Sequence, residues 1–342
     1  MKKVYLIILS IFIIVGCEKI FFKDDPANTP ENNFEIFWTD FDRYYAQFNI
    51  RNFDWDSVYT LYKPQVSSSI SDRQLFDILS EIVITLNDGH VNLFSVYGTV
   101  SWKGWGHGAY PSKKLINHYK YFTGGFSKDG VFEYGEFKNY NIGYIIIPTF
   151  TGNGDGLYSP DERYLVIDKI LEQFKSKDGI IIDIRWNGGG NSVNSDAVAG
   201  RFADNKKVYC KLRRKNGVGK NDFSDWIDCY IEPKGEQYTK PVVVLTSRKT
   251  FSTAESFVLA MQVLPQVTIV GDTTGGGTGN PIFRELPNSW TYRLSTLYTV
   301  TANNLIVDGK GIFPDIVIKT SVEDSINGID RILEKGIEII ER

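Results

Sequence analysis

The sequence predicts an α/β protein with a mainly parallel sheet and a separate N-terminal helical lobe. Three apolar runs typical of buried strands, 179–184, 242–245 and 267–270, each lead into a turn. Segments with apolar residues at helical spacing alternate with strand-like runs from residue 143 onward, and such alternation builds βαβ units. The turns should therefore meet at one edge of the sheet, where ligands bind in open α/β folds.

The N-terminus has the pattern of an export signal. Lys2 and Lys3 precede an apolar run of about a dozen residues, shorter than the roughly 20 that a spanning helix needs. We therefore predict a signal peptide over 1–17 rather than a transmembrane helix. The ending Ile14-Val15-Gly16-Cys17 resembles a bacterial lipobox, in which Cys17 would carry a lipid; a chance cysteine is the alternative. The polar stretch 18–33 then suits a tether.

Residues 34–88 are predicted to form the helical lobe. Its first segment carries aromatic residues at helical spacing, and a later segment carries aliphatic residues behind Ser71 and Gln74, which match a capping box. These apolar positions are Phe34, Phe37, Trp38, Phe41 and Tyr45, and Leu75, Leu79, Ile82 and Leu86. Stripes of this kind belong to a core, so we assign them no ligand.

The remaining chain divides into a core over 89–320 and a C-terminal docking helix over 321–342. Between His90 and Gly143 lie about fifty residues rich in Gly, Tyr and Trp, too few for a PDZ domain by ordinary domain sizes. We interpret this segment as irregular β structure that joins the two lobes. The stretch 322–340 has acidic residues early and a basic residue late, as suits a helix dipole.

Charge and cysteine content narrow the possible partners. A net charge of -3, from 38 basic and 41 acidic residues, gives no field that would gather nucleic acid.

Cys210 and Cys229 flank a polar stretch and could be either cross-linked or two free thiols. No metal-binding or redox motif surrounds them, so we predict neither a metal nor a cofactor.

Ser252 is the first candidate for chemistry. It lies between the strand-like run 242–245 and a helical segment that begins near Ala254. Backbone N–H groups at a helix N-terminus can stabilise an oxyanion, but the serine would still need a base to become nucleophilic. A plain N-cap role for Ser252 is the alternative.

Three further positions complete the candidate set. The glycines at 188–190 free backbone N–H groups to approach a ligand, or form a simple tight turn. No Gly-Lys-Ser/Thr follows, so a nucleotide loop is unsupported.

Among the three histidines, His90, His107 and His118, we favour His90 as a base because it closes the turn 87–90. Capping of the preceding helix is the alternative. Asp308 could orient an imidazole, although Asp-Gly is also a turn signal.

These motifs together resemble the C-terminal-processing (tail-specific) serine proteases, in the branch similar to the tricorn protease core. The resemblance covers roughly residues 85–318, and with the lipobox and helical lobe it is similar to members exported by Bacteroidetes-type bacteria. It rests on five motifs in order: Asp-Gly-His at 88–90, Asp-Ile-Arg-Trp-Asn-Gly-Gly-Gly at 183–190, Ser-Thr-Ala-Glu at 252–255, Gly-Asp-Thr-Thr-Gly-Gly-Gly at 271–277 and Gly-Ile-Phe-Pro-Asp at 311–315.

The resemblance implies a ClpP/crotonase-like core and a role for each residue. Ser252, three residues before the motif glutamate Glu255, would be the nucleophile. Tail-specific members use a lysine in the turn after the next strand, and at the matching place this chain has the glycines 275–277. The tricorn-like branch uses a histidine and a carboxylate instead, which correspond to His90 and Asp308, or a neighbour of Asp308. The oxyanion hole would come from backbone N–H groups, Gly189 and Thr253.

We therefore expect a lipid-anchored serine peptidase of the cell envelope, acting on protein or peptide substrates through a Ser-His-Asp site without a cofactor or nucleic acid. Two alternative functions remain, and the first of them keeps the fold. One is a non-catalytic lipoprotein that binds peptide or lipid, suggested by the missing lysine. The other is a glycan-binding or glycan-cleaving protein, suggested by the aromatic residues over 97–121, although no Asp or Glu in that stretch could form the carboxylate pair of a glycosidase.

Overall fold

The computed structural model describes residues 25–106, 121–152 and 159–342. The predicted signal peptide with Cys17, residues 18–24 of the tether, and His107 and His118 lie outside the described residues. The rest of the predicted tether is described, and its last four residues, 30–33, belong to the first helix. In the described part of the chain, no helix has the length and apolar character needed to cross a membrane.

Helices and strands follow the predicted alternation. In chain order the helices are α1 (Pro30–Tyr44), α2 (Trp55–Tyr62), α3 (Asp72–Thr85), α4 (Glu162–Leu165), α5 (Ile167–Gln173), α6 (Ser192–Ala199), α7 (Thr253–Gln262), α8 (Val322–Ile326) and α9 (Arg331–Ile340). The strands are β1 (Asn92–Ser95), β2 (Gly98–Ser101), β3 (Ser127–Asp129), β4 (Phe132–Glu136), β5 (Ile142–Ile146), β6 (Gly179–Asp183), β7 (Lys207–Arg214), β8 (Ile227–Ile231), β9 (Val242–Thr246), β10 (Val267–Gly271), β11 (Pro281–Glu285), β12 (Thr291–Ser295), β13 (Leu297–Thr301) and β14 (Ile316–Val317).

A seven-stranded sheet in the order β14-β10-β9-β6-β5-β4-β3 forms the centre of the core. The strands from β14 to β5 are parallel, and β4 and β3 add an antiparallel edge. Every residue of β5, β6 and β9 is buried, because helices cover both faces of the sheet. Helices α5, α6 and α7 pack on one face and α9 on the other. The predicted α/β fold with a mainly parallel sheet is confirmed.

The N-terminal helices pack on a second sheet that is remote in sequence. This four-stranded antiparallel sheet has the order β11-β12-β1-β2. The rings of Phe37 and Phe41 contact Tyr292 of β12 at centroid distances of 5.1 and 6.0 Å. The capping box of Ser71 and Gln74 begins α3, as predicted. The lobe is thus attached to the core through strands from the second half of the chain.

A third, antiparallel sheet has the order β13-β7-β8, and the polar stretch between Cys210 and Cys229 connects its strands β7 and β8. Strand β13 follows β12 after a single residue, Thr296, so this sheet borders the four-stranded one.

The C-terminal segment departs from the predicted single helix over 322–340. It forms two helices, α8 and α9, interrupted at Gly328, which has a φ of +67°. A residue in this left-handed conformation ends a helix, and Asp330 then begins α9 by accepting from the Leu333 N–H. Only α9 supplies buried residues to the large sheet, through Ile332, Leu333 and Ile337.

Candidate active site

Ser252 lies in a sharp turn between β9 and α7. Its backbone has a φ of 59° and a ψ of −128°, on the side of conformational space that favours glycine. A non-glycine residue held there costs about 1 to 3 kcal/mol, which the surrounding structure must offset. The turn leaves Ser252 partly exposed while its neighbours Phe251 and Thr253 are buried.

Glu255 fixes this turn to the glycine-rich loop after β10. Its Oε2 accepts hydrogen bonds from the N–H groups of Ser252 (3.0 Å) and Gly277 (2.7 Å). Its Oε1 accepts from the Gly276 N–H (2.7 Å) and the Thr274 hydroxyl (2.6 Å). Burial raises the pKa of Glu255 to about 7, against the opposite effect of these donors. The hydrogen bonds that Glu255 accepts therefore hold the strained turn at Ser252 against the glycine-rich loop after β10.

His90 lies 162 residues before Ser252 in the chain, and its imidazole contacts the Ser252 side chain. It follows α3 in the turn that leads into β1, and its Nε2 lies 3.0 Å from the Ser252 Oγ. The ring is buried and faces Phe251 at a centroid distance of 4.7 Å. Burial lowers the pKa of His90 to about 4; the charge of Asp88 opposes that shift, and Arg293 and Arg51 add to it. The imidazole is therefore neutral at physiological pH, the state in which it can accept a proton from the serine.

The carboxylate of Asp88 bonds to the backbone of His90, and its charge raises the pKa of the imidazole. Its Oδ1 accepts from the His90 backbone N–H at 2.8 Å. Its Oδ2 accepts from the Tyr45 hydroxyl at 3.0 Å and the Ser295 hydroxyl at 2.8 Å. Burial alone would raise the pKa of Asp88, but the charges of Arg51 and His90 and the hydrogen bonds from the His90 N–H and the Ser295 hydroxyl lower it. Tyr45, a residue of the helical lobe, thus helps to hold the turn that carries Asp88 and His90.

Asp308 does not occupy the predicted position on the imidazole. Its carboxylate accepts from the Thr278 N–H (2.7 Å) and the Thr278 hydroxyl (2.9 Å). Within residues 25–106, 121–152 and 159–342, the His90 Nδ1 has no hydrogen-bond partner. The turn that carries Asp308 is held against the glycine-rich loop, since the Gly309 N–H donates to the Gly276 carbonyl at 2.8 Å. Burial raises the pKa of Asp308 to about 6.

The two predicted oxyanion donors lie beside Ser252 but differ in availability. A Cβ added to Gly189 would come within 2.7 Å of the Ser252 Cβ, so the loop after β6 touches the serine. The Gly189 N–H donates to the Asn187 Oδ1 at 2.9 Å and is therefore engaged. The Thr253 N–H, in the first turn of α7, has no acceptor among the described residues, and the Thr253 hydroxyl holds the loop through the Gly190 carbonyl at 2.7 Å.

Sequence reasoning overlooked the functions of Glu255 and Asp88, although both left a signal. Ser252 and Glu255 have the spacing of a capping box, which predicts that the glutamate bonds back to the serine N–H. Asp88 stands two residues before His90, the spacing of a side chain that accepts from its own backbone two residues on. In the sequence, both residues stand out only as members of the family motifs at 88–90 and 252–255.

The described residues include no group of three or more His, Cys, Asp or Glu side chains that could hold a metal ion.

Two family models match parts of this chain. Residues 141–318 match the model of peptidase family S41, which is slightly more than half of the chain. The chain belongs to peptidase family S41. Residues 26–83 match the tricorn protease C1 domain, in the region of the helical lobe. The predicted resemblance is confirmed at the level of the family.

Individual relatives support the family and the fold to different extents. A candidate peptidase from Parabacteroides merdae is 33% identical, with a TM-score of 0.82 over 92% of this chain and 98% of that one. CtpA of Bacillus subtilis, a carboxy-terminal processing protease, is 28% identical over 183 residues, which are 54% of this chain and 36% of CtpA. The chain thus spans about a third of that relative's length. Mature CPAF, solved with lactacystin, shares the fold with a TM-score of 0.69 at 14% identity.

Proposed function

We propose that this S41 chain is a serine peptidase in which Ser252 is the nucleophile and His90 the general base. The observation that carries the proposal is the 3.0 Å contact between the Ser252 Oγ and the Nε2 of a buried, neutral imidazole. The non-catalytic binding protein had its support in the missing lysine, and His90 supplies the base that the lysine would have provided. The stretch 97–121, which suggested the glycan-cleaving alternative, contains no Asp or Glu for a glycosidase pair.

The reaction proceeds by acyl transfer. As the Ser252 Oγ attacks the carbonyl carbon of a peptide bond, its proton passes to the His90 Nε2, and the carbonyl oxygen becomes an oxyanion. The imidazolium then gives this proton to the leaving amine, the C–N bond breaks, and an acyl-enzyme remains. Water repeats the sequence with His90 again as base, and the acid product leaves with Ser252 regenerated.

Two elements stabilise the charges that develop in this reaction. The free Thr253 N–H lies next to the nucleophile at a helix N-terminus, where an oxyanion is favoured. The Gly189 N–H would join it once it turns from the Asn187 side chain. The negative charge of Asp88 stabilises the positive charge of the imidazolium. We therefore assign to Asp88 the electrostatic role that the sequence had suggested for Asp308.

The substrate class and location follow from the family and from the N-terminus. Relatives named carboxy-terminal processing proteases support protein or peptide substrates. We propose that the chain acts in the cell envelope, anchored by a lipid on Cys17.

A serine-reactive fluorophosphonate should label the parent chain at a single serine, detected by intact mass and peptide mapping. Ser252→Ala should abolish the adduct, because the activated oxygen is gone. Ser256→Ala, one turn further along α7, is the matched control and should label at the parent rate. Labelling that persists in Ser252→Ala would exclude this serine, and a folded parent that resists the probe would favour a binding function.

The pH dependence of labelling should report His90. We expect the second-order labelling rate to fall on the acid side with a midpoint near 4, not near the ordinary 6.5, as His90 takes up a proton. The sign follows because a protonated imidazole cannot accept the serine proton, and burial delays that protonation to lower pH. Circular dichroism across the same pH range shows whether the chain stays folded.

Paired variants separate the two carboxylates. Asp88→Asn should move the acid midpoint lower, since the charge of Asp88 raises the pKa of His90, and should reduce the plateau rate on the order of 10- to 100-fold. Asp308→Asn should leave the midpoint unchanged and alter the plateau by less than about 3-fold. A larger effect of Asp308→Asn than of Asp88→Asn would return the orienting role to Asp308.

A further inference from the structure

The two cysteines outside the N-terminal segment lie opposite each other on neighbouring strands. Cys210 of β7 and Cys229 of β8 are directly paired in the antiparallel register. Directly opposed residues project their side chains to the same face of a sheet. We propose that Cys210 and Cys229 form a disulfide bond that closes the hairpin between β7 and β8. This proposal is independent of the peptidase activity.

The backbone geometry suits such a bond without rearrangement. Opposed residues of an antiparallel pair have Cα atoms about 4.5 to 5.5 Å apart, inside the range of about 4.4 to 6.8 Å that disulfides span. In this structure both cysteines are free thiols. A β-bulge between Val208 and Cys210 ends just before the pair, so the register at the cysteines themselves is regular.

The surroundings favour a cross-link over other uses of two thiols. Cys210 is buried and Cys229 is half-buried, so only the second sulfur is open to a reagent from solution. Among the described residues no cluster of ligands would make the pair a metal site. Cys229 is therefore the sulfur that a reagent reaches first.

The oxidant is a disulfide compound, either a protein of the thiol–disulfide oxidoreductase class or a small molecule. The Cys229 thiolate attacks one sulfur of that disulfide, forming a mixed disulfide and releasing one thiol. The Cys210 thiolate, after losing its proton, attacks the Cys229 sulfur and displaces the second thiol. Two electrons and two protons thus pass from the cysteine pair to the oxidant, which ends as two thiols.

The bond would stiffen a sheet that borders the candidate site. Strand β7 also pairs with β13, from Leu297↔Arg214 to Thr301↔Cys210. The Leu297 carbonyl accepts from the Gln47 side chain of the helical lobe, and Ser295, two residues earlier, donates to Asp88. Closing residues 211–228 into a covalent loop lowers the entropy of the unfolded chain and so stabilises this region.

The test is oxidation of the purified full chain with oxidised glutathione, followed by non-reducing peptide mapping and thermal unfolding. We expect a linked peptide pair that contains Cys210 and Cys229 and a mass loss of two hydrogen atoms. We also expect a Tm about 5 °C above that of the reduced chain. Adding a strong dithiol reductant should reverse both changes.

Serine variants give the matched control. In Cys210→Ser and in Cys229→Ser, oxidant and reductant should leave the Tm unchanged, and the remaining cysteine should carry at most a glutathione adduct. Stable glutathione adducts on both cysteines of the parent without a linked pair would overturn the proposal. An oxidised parent whose Tm equals that of the reduced parent would also overturn it. The parent comparison decides the matter even if a variant fails to fold.

Discussion

Replacing His90 with alanine should reduce both fluorophosphonate labelling and peptide hydrolysis by on the order of 10⁴-fold or more. The hydroxyl of Ser252 is a weak nucleophile without a base, and the described residues hold no second base within hydrogen-bond distance of its Oγ. The measurement is the second-order labelling rate of the parent and the variant at neutral pH.

Two controls give this result its meaning. The variant should keep a cooperative thermal transition, because the imidazole contributes one contact to Ser252 and a packed face to Phe251. Added imidazole should restore part of the labelling rate by entering the vacated space. A His90→Ala chain that reacts at the parent rate would show that another group activates Ser252.

Replacing Arg185 with methionine should lower the free energy of unfolding by about 3 to 5 kcal/mol. Arg185 is fully buried and donates to Asp183 through its Nε and one terminal nitrogen, at 3.0 and 2.6 Å. Its other terminal nitrogen donates to Asp330 at 2.8 Å. Removing the guanidinium leaves two buried carboxylates without their cation, and one of them begins α9. Urea unfolding of parent and variant measures the loss.

Arg73→Met is the matched control for this substitution. Arg73 pairs with Asp77 one turn along α3, with more than half of both side chains exposed, so the same chemical change should alter the stability little. Adding Asp183→Asn and Asp330→Asn to Arg185→Met should recover part of the loss, because the uncompensated charges are removed. A loss below about 1 kcal/mol in Arg185→Met would contradict the role of this ion cluster.

The family S41 motifs in the sequence pointed to the two residues that we propose react. The predicted strand-like runs 179–184, 242–245 and 267–270 became the parallel strands β6, β9 and β10, because a continuous apolar run can be satisfied only between two layers of helices. That placed Ser252 at a helix N-terminus at the edge of the sheet. His90 followed from a turn signal and a short list of histidines. Local patterns of this kind suffice when a residue's role depends on its own neighbours in sequence.

Local pattern was insufficient for the C-terminus and for the carboxylate. The charge pattern over 322–340 fitted one helix, but the backbone at Gly328 ends α8 and a new cap at Asp330 begins α9. Asp308 matched a family motif, but Thr278 occupies its carboxylate.

By itself, the sequence predicted the order of the parallel strands and their helices and the proposed nucleophile and base. Only the tertiary structure decided that Ser295 bonds to Asp88, that Gly276 bonds to Glu255 and that Cys210 stands opposite Cys229. Each of these pairs joins different segments of the chain. Hydrogen bonds of this kind form only when packing has brought the donor to the acceptor and removed the water between them. The residues that hold a catalytic group are therefore fixed by the folded surroundings, whereas the groups that react are recognisable from their own motifs.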